Sequence, residues 1–282
     1  MIISWDNLTS KGIINADHDY VLAWNELMAN EYRLFYSSFN APDTQICVTG
    51  IPRFDIYFQK LPENYSISEF RKRYRIGASD KVILFTTSAI NHFPNQADIV
   101  EHLLEYVSQK QDITVIVRCH AGDHSMFYTK FLQEPDLRIW HPDNTHNSYN
   151  ISKRIPGLET PLSLAEMLIY CDVCLNVAST IRLEAAVCNK PGISIAYDGN
   201  LKPELTHSVQ RFYAYSHQVP LNDLGIDHMV FSKNELFSSL DEILYKSSLP
   251  AINYTEGIEK FTCHSGPFGV STSMKYIDQW LN

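Results

Sequence analysis

The sequence predicts an α/β fold built on a parallel sheet with helices on both faces. Short apolar runs rich in β-branched residues alternate with longer amphipathic stretches, which is the pattern of repeated strand–helix–strand units. Residues 81–89 (KVILFTTSA) and 112–120 (DITVIVRCH) are two such runs. Residues 94–109, between them, have apolar side chains at helical spacing behind a proline near the start. The alternation therefore predicts a parallel sheet.

The same alternation continues toward the C-terminus. The later predicted elements are a short helix at 127–134, strands at 137–142, 172–179 and 190–198, and helices at 163–171, 180–189, 235–245 and 274–282. Residues 143–158 are polar and are predicted to form a loop.

The chain divides into two blocks of unequal size. In the first block, residues 1–58, we predict strands at 1–4, 18–24 and 45–57 and a helix at 25–39. This block is too small for a complete doubly wound domain, so we expect that its N-terminal part precedes the sequence or comes from a partner chain. Residues 59–80 are predicted to be a linker carrying a short helix, and residues 81–282 a second domain with a C-terminal helix.

Charge and cysteine usage narrow the classes of function. The net charge of −9 over 282 residues excludes a global basic surface for nucleic acid. The six cysteines lie mostly in apolar runs, which indicates reduced, buried thiols, and the single Cys171-x-x-Cys174 pair has no second pair to complete a zinc site. There is no apolar run of ~20 residues and no signal peptide, so we expect a cytoplasmic protein.

A helix start after a predicted strand is the strongest local signal for a binding site. The strand ends at Asn176, Ser179 and Thr180 follow where a helix begins, and Glu184 lies one turn later. Hydroxyls and free backbone N–H groups at such a position bind anions, and a carboxylate can accept two hydrogen bonds from vicinal ribose hydroxyls. The alternative is that Ser179 caps the helix and Glu184 complements its dipole.

A second candidate pair ends the strand at 112–120. Arg118 and His120 are two residues apart, so they face the same side of the strand. Arginine binds phosphate through two parallel hydrogen bonds, and histidine can donate to a phosphate or a leaving group. The alternative is an arginine in a salt bridge beside a solvated histidine.

Two polar turns in the first block complete the set of candidates. In the loop SWDNLTSKG, Asp6 could act as a general base and Lys11 could neutralise phosphate charge, although an Asx-turn also explains Asp6. In VTGIPRFD, Gly50 favours a turn, and Arg53 either pairs with Asp55 or contacts a phosphate or acceptor. A structural role is the better explanation of this second turn.

These four motifs, in this order, resemble the CDP-glycerol glycerophosphotransferase-like branch of GT-B enzymes and related capsule and surface-polysaccharide glycosyltransferases. That group has a Trp-His-Gly-Thr-Pro-x-x-Lys loop, a Gly-x-Pro-Arg-x-Asp turn, an Arg-x-His strand end and an Asp-x-x-Ser-Ser/Thr helix start followed by an acidic residue. The corresponding segments here are WDNLTSK, GIPRFD, RCH and DVCLNVASTIRLE.

The resemblance implies a GT-B-like arrangement with a site for a nucleotide donor. It makes residues 1–58 the end of an acceptor-side Rossmann-like domain and residues 81–282 the donor-binding Rossmann-like domain. It implies that the donor diphosphate is held by a set of five residues, with His120 also in a catalytic role. That set is Arg118, His120, Ser179, Thr180 and Glu184. Asp6 stands where the family has its proposed catalytic histidine, which favours a sugar donor.

The resulting prediction is a metal-independent glycosyltransferase with no cofactor. It would move a sugar from a nucleotide-sugar to a surface-polysaccharide or lipid-linked acceptor, in the cytoplasm or at the inner face of the membrane. Three alternatives stay open: a CDP-alcohol phosphotransferase, a nucleotide-sugar 2-epimerase, and a non-catalytic half of a split GT-B protein.

Overall fold

The computed structural model describes residues 18–35, 44–120, 125–142, 158–246, 254–263 and 266–282. In chain order the regular elements of these residues are β1 (Tyr20–Ala23), α1 (Glu26–Phe35), β2 (Gln45–Val48), α2 (Ile67–Arg73), β3 (Lys81–Thr86), α3 (Gln96–Ser108), β4 (Ile113–Arg118), β5 (Leu137–Trp140), α4 (Glu159–Tyr170), β6 (Val173–Asn176), α5 (Ile181–Val187), β7 (Gly192–Ile195), α6 (Gln210–Tyr213), α7 (Val219–Asp223), β8 (Asp227–Val230), α8 (Lys233–Asp241), α9 (Tyr254–Thr262) and α10 (Gly269–Leu281). Short 3-10 helices cover Pro52–Phe58, Glu63–Tyr65 and Ser125–Phe131, and a π-helical turn covers Glu242–Lys246.

The larger of two compact units, unit 2, consists of the described residues among 61–214 and 225–252. Its six strands are all parallel and lie in the order β5-β4-β3-β6-β7-β8. The chain winds from β3 outward to β4 and β5, and then returns to the other side of β3 with β6. The predicted α/β fold with a parallel sheet is thereby confirmed.

Helices cover both faces of this sheet. The strand residues Val82–Phe85 and Ile113–Arg118 are buried without alternation, as expected for strands covered on both sides. The core contains apolar residues of α3, such as Leu103, which packs near β4, and of α8, such as Leu240, which packs near β7 and β8. This packing leaves the carboxyl ends of the strands, and the loops that follow them, at one edge of the unit.

Unit 1 consists of the described residues among 1–60, 215–224 and 253–282, and its parallel strands β1 and β2 pair in register. The prediction that residues 81–282 form one domain differs from this division. The C-terminal helices belong to unit 1 because buried polar groups of its N-terminal part hold them. Asn25 Nδ2 donates to the carbonyl of Phe261 (2.7 Å), and the Asp55 carboxylate accepts from the backbone N–H groups of Gly269 (2.8 Å) and Val270 (2.9 Å).

Several predicted boundaries are wrong. Within 45–57, where a strand running into a Gly-Pro turn is predicted, the strand β2 ends at Val48, Gly50 adopts a positive φ of 73° and Pro52 starts a 3-10 helix. The strand predicted at 190–198 is reduced to β7, and β8 is not recognised because Asp227 and His228 interrupt its apolar pattern. The predicted strand at 1–4, the end of the helix at 25–39 and the loop at 143–157 lie outside the described residues.

Candidate functional site

The winding of unit 2 creates a crevice at the carboxyl edge of its sheet. The strand order reverses between β3 and β6, so the loops after these two strands leave the edge in opposite directions. In open α/β sheets this switch point is where ligands bind. The loop after β3 is tied to the end of β4, since Thr87 N donates to the carbonyl of Arg118 (3.0 Å) and Thr87 Oγ1 accepts from His120 N (2.8 Å).

His120 and the predicted helix-start hydroxyls lie at this edge. His120 is exposed directly after β4, and Ser179 and Thr180 are half-buried in the loop between β6 and α5. Ser179 Oγ accepts from the backbone N–H of Ile181 (3.3 Å), so this hydroxyl also stabilises the local turn. The structure thus brings Ser179 and Thr180 to one side of the switch point and His120 next to the other side.

Glu184 lies inside the fold. It is 1 % exposed on the buried face of α5, so a ribose could meet its carboxylate only from within the crevice. The neighbouring Arg182, also buried, donates from Nε and Nη2 to the two carboxylate oxygens of Asp227 (2.7 and 2.8 Å), and Ser194 Oγ donates to the same carboxylate. This ion pair between α5 and β8 fixes the helix against the sheet.

The Arg118 side chain is directed toward the start of α4 and the end of β5. Its Nη1 donates to Ser163 Oγ (3.1 Å), its Nη2 donates to the carbonyl of Thr160 (3.1 Å), and its guanidinium carbon lies 3.7 Å from the centre of the Trp140 ring. Arg118 and Trp140 are register partners on β4 and β5. The guanidinium therefore lies between the first turn of α4 and the Trp140 ring at the end of β5.

A polar cavity of about 310 Å³ is lined in part by Trp140, Thr160 and Ser163, the residues that Arg118 contacts. Its lining residues come from the segment 65–74, the end of β5 and the first half of α4: Tyr65, Arg73, Tyr74, Trp140, His141, Glu159, Thr160, Ser163 and Glu166. The volume is at the lower end of the range for small-molecule sites. Aromatic rings and hydrogen-bonding groups in one cavity suit a flat, polar ligand.

A buried carboxylate organises the floor of the cavity. Glu166 has no exposed surface; it accepts from Tyr74 Oη (3.2 Å) and pairs with Arg73 Nη1. Burial raises the pKa of Glu166, and the hydrogen bond and charge of Arg73 oppose that rise. Burial and the Glu166 charge also raise the pKa of the Tyr74 phenol, so Tyr74 is a donor throughout the neutral range.

Three predicted site residues remain: Asp6, Lys11 and Arg53. Asp6 and Lys11 lie outside the described residues. Arg53 is exposed in unit 1, with its guanidinium carbon 5.6 Å from the centre of the Phe54 ring. The predicted pairing partner Asp55 instead caps α10 through the two hydrogen bonds given above. These roles stay predictions for Asp6, Lys11 and Arg53.

The cysteine pair is part of the core. Cys171 and Cys174 are buried, and burial raises the pKa of the Cys171 thiol to about 12 and that of Cys174 well above its usual range. Among the described residues, no group of three or more His, Cys, Asp or Glu side chains could hold a metal ion. None of the described helices combines the length and the apolar character that crossing a membrane requires.

Sequence reasoning missed the cavity. Trp140 carried a recognisable signal, since a tryptophan at a strand end followed by a polar residue and Pro142 marks a strand-to-loop junction at the carboxyl edge. Arg73 carried none, because it stands in a charged run that equally describes a solvated helix face. Glu166 did carry a signal, because it lies among apolar residues of a predicted helix. An acid that is buried in such a helix needs a polar partner from another segment.

Residues 9–134 match the family model described as CDP-Glycerol:Poly(glycerophosphate) glycerophosphotransferase. No curated protein sequence matches the chain. Among solved structures, a Staphylococcus aureus MnaA–UDP complex is similar to the chain with a TM-score of 0.57 and 14 % identity, over 94 % of this chain and 60 % of that one. For the Methanocaldococcus jannaschii UDP-GlcNAc 2-epimerase in complex with UDP-GlcNAc and UDP, the TM-score is 0.56, the identity 16 % and the coverage 92 % and 61 %.

A structure of the wall teichoic acid polymerase TagF with CDPG is similar at a TM-score of 0.55 and 15 % identity, over 94 % of this chain and 58 % of that one. The chain thus spans about 60 % of the length of the structures it matches. At these identities the likeness is one of fold: the chain has the α/β architecture with a parallel sheet that is found in GT-B enzymes of the epimerase and TagF types.

Proposed function

We propose that the protein is a transferase that binds a nucleotide-diphosphate donor at the carboxyl edge of the unit 2 sheet. The observation that carries the proposal is that the crevice between β3 and β6 and the cavity beside Trp140 lie at the same edge. Neighbouring strands are ~4.8 Å apart, so the two features are separated by about two and a half strand spacings, or ~12 Å. A nucleoside diphosphate can span that distance.

In this arrangement the two features receive different parts of the donor. The diphosphate lies in the crevice, where His120, Ser179 and Thr180 supply hydrogen-bond donors. The base lies against Trp140, with Arg118 holding that ring in place. The ribose then lies between the crevice and the cavity, whereas Glu184 is on α5, which packs on β6 and β7, so the ribose role predicted for Glu184 requires the opposite orientation of the donor. Asp6 is kept as the candidate general base toward an acceptor hydroxyl.

Two classes of donor fit the proposal. The family-model match over residues 9–134 favours a CDP-alcohol. The acceptor oxygen would then bond to the alcohol-bearing phosphorus, the bridging P–O bond would break, and CMP would leave. With a nucleotide-sugar, the acceptor oxygen bonds to the anomeric carbon and a nucleoside diphosphate leaves. The replacement of the family's loop histidine by Asp6 supports the sugar donor.

The acceptor we propose is a surface polysaccharide or a lipid-linked precursor, reached from the cytoplasm or the inner face of the membrane. The resemblance of the motifs to CDP-glycerol glycerophosphotransferase-like enzymes and to capsule and surface-polysaccharide glycosyltransferases supports this assignment. Product analysis separates the classes: CMP release from CDP-glycerol identifies phosphotransfer, and acceptor-dependent UDP or GDP release identifies glycosyl transfer. Conversion of a nucleotide-sugar to its 2-epimer without acceptor would identify an epimerase instead.

Calorimetric titration with CDP, UDP, GDP and inorganic pyrophosphate tests the donor site. We expect at least one nucleoside diphosphate to bind. His120→Ala should weaken it about fivefold, because one hydrogen bond contributes ~1 kcal/mol. The matched control is His207→Ala, since His207 is also exposed and bonds its neighbour Thr206 in the loop after β7. Absence of binding to all four compounds, or equal losses in the two variants, would contradict the assignment.

A further inference from the structure

The loop between β6 and α5 contains an alanine in an unfavourable backbone conformation. Ala178 has a φ of +41°, in the left-handed region that glycine adopts easily and alanine does not. The next two residues are Ser179 and Thr180, the hydroxyl residues of the candidate diphosphate site. Whatever holds Ala178 in this conformation therefore also sets the direction of those two side chains.

We propose that Tyr213 is the positioning residue that holds this loop in its donor-binding conformation. The proposal rests on the function proposed above, in which the loop contacts the diphosphate of the donor. Tyr213 is 5 % exposed, and its hydroxyl accepts from Ala178 N (3.0 Å) and donates to the carbonyl of Ile195 (2.9 Å). It thus connects the strained loop to the end of β7.

Tyr213 is the last residue of α6, and hydrogen bonds at the start of this helix hold it in place. The Asp198 carboxylate, after β7, accepts from Ser208 Oγ (2.5 Å) and Val209 N (2.9 Å) directly before this helix. These bonds anchor the short helix that carries Tyr213 to the loop directly after β7. The position of the phenol is therefore fixed relative to the sheet.

A second contact holds the helix that follows the loop. The guanidinium carbon of Arg182 lies 5.5 Å from the centre of the Tyr213 ring, while the same guanidinium pairs with Asp227. The backbone of the loop is therefore fixed through Ala178 and the start of α5 through Arg182. Tyr213 is buried, so it acts on the site through Ala178 and Arg182 and not by contact with a ligand.

The test compares Tyr213→Phe with Tyr106→Phe. Tyr106→Phe removes a hydroxyl hydrogen bond to Asp241 Oδ1 (2.9 Å), but Tyr106 lies near the C-terminal end of α3, which runs back from the carboxyl edge between the parallel strands β3 and β4. Tyr213→Phe removes the bonds to both Ala178 N and Ile195 O, and only the first of these contacts the loop. We therefore expect the variant to weaken binding of the nucleoside diphosphate that the wild type binds best by about fivefold, the effect of the one lost bond to Ala178. Tyr106→Phe should leave that affinity unchanged.

A rescue variant separates positioning from general stability. Glycine adopts a positive φ without help, so Ala178→Gly in the Tyr213→Phe background should recover part of the lost affinity. A purely structural role of Tyr213 predicts no recovery, because glycine adds no stability elsewhere. Unchanged affinity in Tyr213→Phe, or a loss that Ala178→Gly leaves in full, would overturn the proposal.

Amide hydrogen exchange gives a readout that needs no ligand. Exchange at Ala178, Ser179 and Thr180 should be faster in Tyr213→Phe than in the wild type, with exchange in β3 and β4 unchanged. Equal exchange in the loop would overturn the positioning role even if the wild type binds no nucleotide. Failure of the donor-site proposal shows up separately, as a wild-type protein that binds neither nucleotides nor pyrophosphate.

Discussion

The buried ion pair between Arg182 and Asp227 allows a direct test of how α5 is held. The Arg182 side chain has no exposed surface and that of Asp227 is 3 % exposed, and two hydrogen bonds of 2.7 and 2.8 Å join them. In Asp227→Asn the guanidinium keeps its charge and loses its counter-charge. Removing one partner of a buried pair costs ~3–5 kcal/mol, because an uncompensated charge is left inside the protein.

Urea unfolding followed by circular dichroism measures this loss. Glu101→Gln is the matched control, since Glu101 pairs with Lys130 and both side chains are about half exposed, 44 % and 55 %. An exposed pair contributes only ~0–1 kcal/mol. The free energy of unfolding should therefore fall several times more in Asp227→Asn than in Glu101→Gln. Equal losses would refute the reasoning that the α5 pair is desolvated and structurally essential.

Three further predictions follow from other contacts. Asp55→Ala removes both capping bonds of α10 and should cost ~1–2 kcal/mol, with faster amide exchange confined to the first turn of that helix. Arg118→Lys should weaken nucleotide binding but not pyrophosphate binding, since the Arg118 guanidinium packs on Trp140, which lines the base cavity. Equal weakening of both would instead indicate that Arg118 contacts the diphosphate. Iodoacetamide at neutral pH should label the exposed Cys263 in the native protein and reach Cys171 and Cys174 only after unfolding, as peptide mass spectrometry would show.

The sheet was predictable because its signals are local. Apolar runs such as residues 82–85 can be buried only where both faces are covered, and the helix at 96–108 shows its inward face through its own spacing. The polar strand β8 was not predictable in this way. Asp227 is tolerated there because Arg182 of α5 neutralises it, and that partner lies far away in the sequence.

The sequence predicts where the candidate site lies in the fold, but it does not predict which side chains contact each other there. Strand ends and helix starts place His120 and Ser179 at the carboxyl edge, and the structure puts them there. The direction of the Arg118 side chain depends on Trp140 and on the first turns of α4, which the sequence places more than twenty residues away. For the same reason the cavity, assembled from three separate segments, left no pattern in any one of them.

The central claim is that one nucleotide occupies both the crevice and the cavity at the carboxyl edge of unit 2. Chemical-shift mapping of isotope-labelled protein during titration with CDP, UDP and pyrophosphate tests it most directly. We predict that pyrophosphate shifts the amides of His120 and residues 177–180 alone, and that the bound nucleotide shifts these together with residues 140–142 and 159–163. Nucleotide-induced shifts confined to other surfaces, or none at saturating concentration, would contradict the claim.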